Sequence, residues 1–186
     1  WVGSAWSGEG RFALVIGSAN YQHLPPLNNP TNDAQAMSAK LNAMGFHVDT
    51  VVDMDLETIR ARIEAFSERA SGAEKALIFF AGHGLQVAGE NYLLPVNIQL
   101  QRPDQLRNEA LGVDELFDAF NRAAPETAIL ILDACRDNPF VGQSNVNQGL
   151  ASGNGVSITQ RPNAAGIVIA YAAAPGAVAF DGQDGN

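Results

Sequence analysis

Four short stretches of this chain are apolar from end to end: 12–16, 76–80, 128–132 and 167–171. None shows the polar alternation of a strand with one wet face, so each has to be covered on both sides. Strands of that kind belong to parallel sheets with helices packed against them. A weaker run, 48–52, is a candidate edge partner. Helical stripes fall between the runs. Ala34, Met37, Leu41 and Met44 form the first, with Asn32 as N-cap and Gly45 as the stop. Leu56, Ile59, Ile63 and Phe66 follow Asp55, and Val113, Leu116, Phe117 and Phe120 end before Pro125. Residues 85–87 and 92–94, joined by 88–91, read as a small hairpin inserted after the third strand. The expected fold class is an α/β sandwich with a mostly parallel central sheet flanked by helices. Residues 143–165 are low in apolar content and read as a long functional or disordered loop.

Composition narrows the chemistry. The 186 residues suffice for one domain with its own core, and the apolar and charged fractions, 46% and 17%, are ordinary for a globular protein. No apolar run is long enough to span a bilayer. A net charge of −9 argues against nucleic acid, which needs a basic face. The single cysteine, Cys135, makes neither an internal disulfide nor a thiolate metal site, which leaves a small buried hydrophobe, an accident or a nucleophile. The short apolar runs make a soluble protein the expectation; the start at Trp1 rather than Met implies that something upstream is removed or left out, which leaves the compartment open between the cytoplasm and export after loss of an N-terminal segment. Residues 1–10 read as a linker or the end of a pro-segment.

In open parallel sheets, sites gather at the carboxyl ends of the strands. The third strand is followed by Ala81-Gly82-His83-Gly84 and the fourth by Asp133-Ala134-Cys135-Arg136-Asp137. If those strands are neighbours, an imidazole and a thiol meet on one rim, as a thiol nucleophile and its base must. Glycine at 84 lets its N–H approach a substrate carbonyl, and with the Cys135 N–H it makes a candidate oxyanion hole. The competing reading of His83 is a structural histidine in a turn. His23 and His47 lack this context and are assigned to surface or packing.

These segments resemble the caspase and metacaspase clan of cysteine peptidases, particularly its bacterial members. The clan's local signature places a histidine about 50 residues before an Ala-Cys dipeptide, and here His83 stands 52 residues before Cys135. Ala13-Leu14-Val15-Ile16-Gly17 with Asn20-Tyr21 and Asn32-Asp33-Ala34 is similar to the family's opening, and Phe80-Ala81-Gly82-His83-Gly84 to its strand-end histidine. Residues 169–176 resemble the segment leading into the substrate-binding loop. The resemblance implies a six-stranded, mostly parallel caspase-like sandwich, of which this chain is expected to lack the last strand and helices. It divides the catalytic domain, 11–186, into a large-subunit region 11–140, a linker-like loop 141–165 and the start of a small-subunit region 166–186.

It also implies a function: endopeptidase cleavage by a His83–Cys135 dyad, with Gly84 and Cys135 as oxyanion donors. Caspases read a substrate Asp with pocket arginines, but 12–39 contains no Lys or Arg. Instead Asp33, Asp133 and Asp181 fall at or near pocket positions, which implies cleavage after Arg or Lys, with Arg favoured by its bidentate fit. Asp33 also reads as a helix-start carboxylate. Ala177, Val178, Ala179 and Phe180 would pair with the substrate backbone, and Arg161 is the basic candidate for self-cleavage, weakened by the following Pro162. Asp114 and Glu115 lie where metacaspases bind activating calcium, but Ca²⁺ wants six to eight oxygens and helix-start acids are preferred; no metal or cofactor is expected. The expected partner is a peptide or protein substrate with a basic residue before the scissile bond, with no nucleic acid or membrane and a monomeric state; the C-terminal part is either a separate small subunit or not included in this chain. Two alternatives are a catalytically silent scaffold that binds a protein partner and a hydrolase of small amides.

Overall fold

The structure, a computed structural model, describes residues 10–87, 90–99, 103–135 and 166–171. Its elements are β1 (Arg11–Gly17), α1 (Pro30–Ala43), β2 (His47–Val52), α2 (Leu56–Arg69), β3 (Lys75–Val87), β4 (Glu90–Leu93), α3 (Leu106–Glu109), β5 (Leu111–Gly112), α4 (Val113–Ala123), β6 (Thr127–Cys135) and β7 (Gly166–Tyr171). The order β2-β1-β3-β6-β7 forms a parallel sheet. The chain adds β2 on one side of β1, then returns to add β3 on the other. The switch point therefore lies between the carboxyl ends of β1 and β3, the place where such sheets carry their sites.

Each buried strand supplies both faces. Leu14, Ile16, Ile78 and Phe80 pack with Ile59, Phe66, Phe117 and Phe120 on the side of α2 and α4. Ala13, Val15, Leu77 and Phe79 pack with Ala34 and Leu41 of α1 on the other. This is the covering that the unbroken apolar runs require. A third cluster, including Tyr21, Leu24, Leu85, Tyr92, Leu94 and Ile98, sits beyond the β1 end and ties the loop after β1 to the hairpin. Among the described residues, no helix is long and apolar enough to cross a membrane.

Three local expectations change. α1 starts at Pro30, with Asn29 rather than Asn32 at the N-cap position and the Asp33 N–H donating to the Asn29 carbonyl at 2.9 Å. Proline is pre-set for the first helical position, where its missing N–H costs nothing. Met44 leaves the stripe: the helix ends at Ala43, Met44 is 55% exposed, and Gly45 adopts the left-handed φ of 83° that stops it. The hairpin is the second half of β3 rather than a separate insertion. Its ladder pairs Val87 with Glu90 and Gln86 with Asn91, so Glu90 and Asn91 belong to β4 and not to the turn, and Leu94 lies past β4. A short turn at Pro103–Gln105, α3 and β5 were beyond sequence expectation, since so few residues carry no period. The other helix starts follow their sequence signals. Asp55 accepts the Thr58 N–H at 2.8 Å. Glu115 accepts the Gly112 N–H at 3.0 Å and pairs with Arg60 at 2.8 and 3.0 Å, contacts that suit a helix-start acid.

Candidate active site

β3 and β6 are adjacent and parallel, and their register ends by setting Ala81 opposite Asp133, Gly82 opposite Ala134 and His83 opposite Cys135. Neighbouring strands run about 4.8 Å apart, so the two backbones meet directly at the sheet's carboxyl rim. β1 has already ended: its last partner on β3 is Ala81, opposite Gly17. His83 thus emerges beside the open switch point.

The imidazole is held from the loop that follows β1. His83 Nε2 lies 3.0 Å from the Pro25 carbonyl oxygen. A carbonyl only accepts, so Nε2 carries a proton, and Nδ1 is the basic nitrogen of the neutral ring. The Tyr21 ring packs on the imidazole with centroids 4.6 Å apart. The His83 N–H donates to the Tyr21 hydroxyl at 2.8 Å, and the His83 carbonyl accepts the Leu94 N–H at 3.0 Å. Since successive peptide groups point to opposite edges of a strand, the Gly84 N–H points to the β6 edge, where Cys135 lies.

Gly82 keeps this corner open. Its φ is 155°, and an added Cβ would stand 2.8 Å from the Tyr21 hydroxyl and 3.0 Å from the Phe80 ring. Gly82→Ala is expected to destabilise the protein by roughly 2–4 kcal/mol, combining backbone strain with overpacking. Chemical denaturation measures it; a loss under about 0.5 kcal/mol, the range of an ordinary surface change, contradicts the tight corner.

The acids separate. Asp133 follows buried Leu132 and alternates with Ile129 and Ile131, which pack on the α1 side, so it is partly buried on that face. Asp33 lies in the first turn of α1, which abuts the β1 end: a Cβ on Gly17 would meet the Pro30 carbonyl at 2.6 Å. Both therefore belong to the α1 side of the rim. Asp114 starts α4, and its carboxyl is pushed above the usual range by burial, then by Glu90 and Asp118. His23 and His47 are exposed, with the His47 ring 5.3 Å from Phe12. Asp181, 177–180 and Arg161 lie outside the described residues, as does the 141–165 segment.

Three contributors had no sequence assignment. The Pro25 carbonyl has no side-chain signal at all. Tyr21 was visible only as part of a resemblance. Asp53, at the end of β2, accepts the Ala19 and Asn20 N–H groups at 2.7 and 2.9 Å and the Asn20 side-chain amide at 2.6 Å. It does so with a left-handed φ of 52°, which Asp tolerates, and so clamps the loop that carries Tyr21 and Pro25.

A family model of the caspase domain matches residues 10–186. Human mucosa-associated lymphoid tissue lymphoma translocation protein 1 is 25% identical over 174 residues, 93% of this chain. Its mouse homolog is 24% identical over 174 residues, again 93% of this chain. The chain spans only 19% of the length of each of these curated relatives. The crystal structure of a protein from Geobacter sulfurreducens matches with a TM-score of 0.53 at 20% identity, covering 73% of this chain and 54% of that one. At that identity the likeness is one of fold.

Proposed function

We propose, because the chain belongs to the caspase-domain family of peptidases, that it is a cysteine endopeptidase cleaving after basic residues, Arg before Lys, by a His83–Cys135 dyad. The observation that carries the reading is the register that sets His83 opposite Cys135 at the carboxyl rim of the sheet. The Pro25 carbonyl supports it by selecting the tautomer whose Nδ1 is basic.

In this reading Nδ1 takes the thiol proton, and the Cys135 sulfur bonds to the substrate carbonyl carbon. The electron pair of the C=O bond moves to oxygen, which the Gly84 and Cys135 N–H groups hold. As the C–N bond breaks, Nδ1–H gives its proton to the leaving amine. Water, deprotonated by Nδ1, then adds to the thioester carbonyl; expulsion of the sulfur releases the acid and the free enzyme. The sequence needs no metal or cofactor. Asp133 and Asp33 would receive the basic side chain, with Asp181 as a further carboxylate and 177–180 as the strand that pairs with the substrate backbone. Residues 166–171 already share the sheet as the partner of β6, which supports one catalytic domain over 11–186, with the linker-like segment inside it.

Three fluorogenic peptides, alike except for Arg, Lys or Asp before the scissile bond, test the specificity. Turnover should be highest for Arg, lower for Lys and negligible for Asp; preferential turnover of the Asp peptide overturns the pocket assignment. An Arg-containing electrophilic peptide tests the dyad. A chain that stays unlabelled and turns over no peptide is a binding scaffold.

A further inference from the structure

We infer that Tyr21 is a positioning residue for His83, its phenol hydroxyl replacing a direct link in the β3 ladder at the point where β1 ends. The inference rests on the dyad reading above. Ala81 gives its carbonyl to the Ser18 N–H at 2.9 Å, the last bond of that edge to the β1 side. Two residues on, the His83 peptide group faces the same edge, but no β1 residue remains opposite it.

What remains is Leu94. His83 and Leu94 continue the antiparallel register that pairs Gly84 with Leu93. An ordinary pair at this position exchanges two direct N–H···O bonds. Here one is direct, from the Leu94 N–H to the His83 carbonyl at 3.0 Å. The other runs through the phenol: the His83 N–H donates to the Tyr21 hydroxyl at 2.8 Å, and that hydroxyl donates to the Leu94 carbonyl at 3.1 Å. A hydroxyl does this because it both accepts and donates. The pair is held open by one oxygen atom, and that opening sets where the His83 backbone stands.

The relay is built to persist. Tyr21 is buried, and burial raises its pKa, so the phenol keeps the proton it donates to Leu94. Its ring packs at a tilt of 51° against the imidazole. Its loop is clamped by Asp53 and supplies the Pro25 carbonyl to Nε2. One loop therefore sets the backbone position, ring packing and tautomer of the proposed base. Phenylalanine at 21 would keep the ring and remove only the relay. The His83 N–H and Leu94 carbonyl would then stay unpaired or close onto each other, and either outcome moves His83.

The test is Tyr21→Phe in the full chain, beside His83→Ala. Turnover of the Arg peptide is resolved into kcat and KM per titrated active site. Alkylation by iodoacetamide is followed against pH, and Cys135, the sole cysteine, is what it reports. In Tyr21→Phe, kcat should fall about 10- to 100-fold, the scale of an ångström-level misplacement, while KM stays within about twofold, since remote substrate contacts are untouched. Alkylation near neutral pH should slow in parallel, because a displaced imidazole no longer supports the thiolate. A tyrosine that is merely structural would lower the melting temperature and leave kcat per site and the alkylation profile at wild-type values; that result overturns the inference. Wild-type behaviour in His83→Ala would instead sink the dyad reading, and this role with it. Impairment in His83→Ala alone sinks only the positioning role. Should Tyr21→Phe not fold, Asp53→Asn keeps the phenol but weakens its clamp. A kcat loss of about threefold, the scale of a weakened hydrogen bond, then supports the role, and wild-type kcat removes it.

Discussion

Cys135→Ala is expected to abolish peptide turnover, with kcat/KM falling about 10⁵- to 10⁶-fold, the scale seen when a hydrolase loses its nucleophile. The argument is chemical: without the sulfur no thioester forms, and only binding and the oxyanion donors remain. His83→Ala should cost less, about 10²- to 10⁴-fold, because a few per cent of a cysteine is thiolate at neutral pH even without a base. The double variant should be no worse than Cys135→Ala, since the two residues act as a unit. Kinetics on the Arg peptide, with melting curves to show that the fold survives, measure all three. A cysteine variant retaining more than about 1% of activity, far above that scale, would overturn the nucleophile assignment.

Asp133→Asn carries the second largest effect. The side chain is partly buried at the end of a buried strand, directly before Ala134 and Cys135. Asparagine keeps its shape and removes its charge. A cationic substrate side chain would then enter the pocket with one carboxylate fewer, a loss of about 2–5 kcal/mol for a desolvated pair. At tenfold per 1.36 kcal/mol, kcat/KM for Arg peptides should fall roughly 30-fold to a few thousand-fold. Peptides with Gln before the scissile bond should change little, because they bring no charge to pair. The ratio of the two is the diagnostic. Equal losses on both peptides would mean that Asp133 supports the fold or the dyad and does not read the substrate.

The legible part of the molecule was its local pattern. Runs 12–16, 76–80, 128–132 and 167–171 all became strands, because residues apolar on both sides can be satisfied only in the middle of a covered sheet. Asp55 capped α2 as its position implied. The amphipathic stripe ending in Phe120 became α4. His83 and Cys135 stood out because each comes three residues after an unbroken apolar run, near the strand ends where open sheets carry their sites; in the structure both still lie on strands, His83 within β3 and Cys135 as the last residue of β6. Short-range signals misplace two boundaries by a few residues. Asn32 is a good cap, but Pro30 fixes the helix start earlier. Residues 88–91 looked like a turn, but Glu90 and Asn91 had ladder partners.

By itself, then, the sequence determined the element types, the sandwich architecture and which two residue types belong on the rim. Hydrophobic periodicity and strand-end placement are properties of neighbouring residues, and no folding is needed to see them. Tertiary structure alone decided that β3 and β6 are neighbours in the register that sets His83 opposite Cys135. It also decided that β1 ends two residues short, leaving a peptide edge for Tyr21 to complete. Those facts depend on where strands distant in sequence stop relative to one another, and on a backbone carbonyl at Pro25 that has no side-chain signature. Packing against the whole sheet sets both, and no window along the chain contains that information.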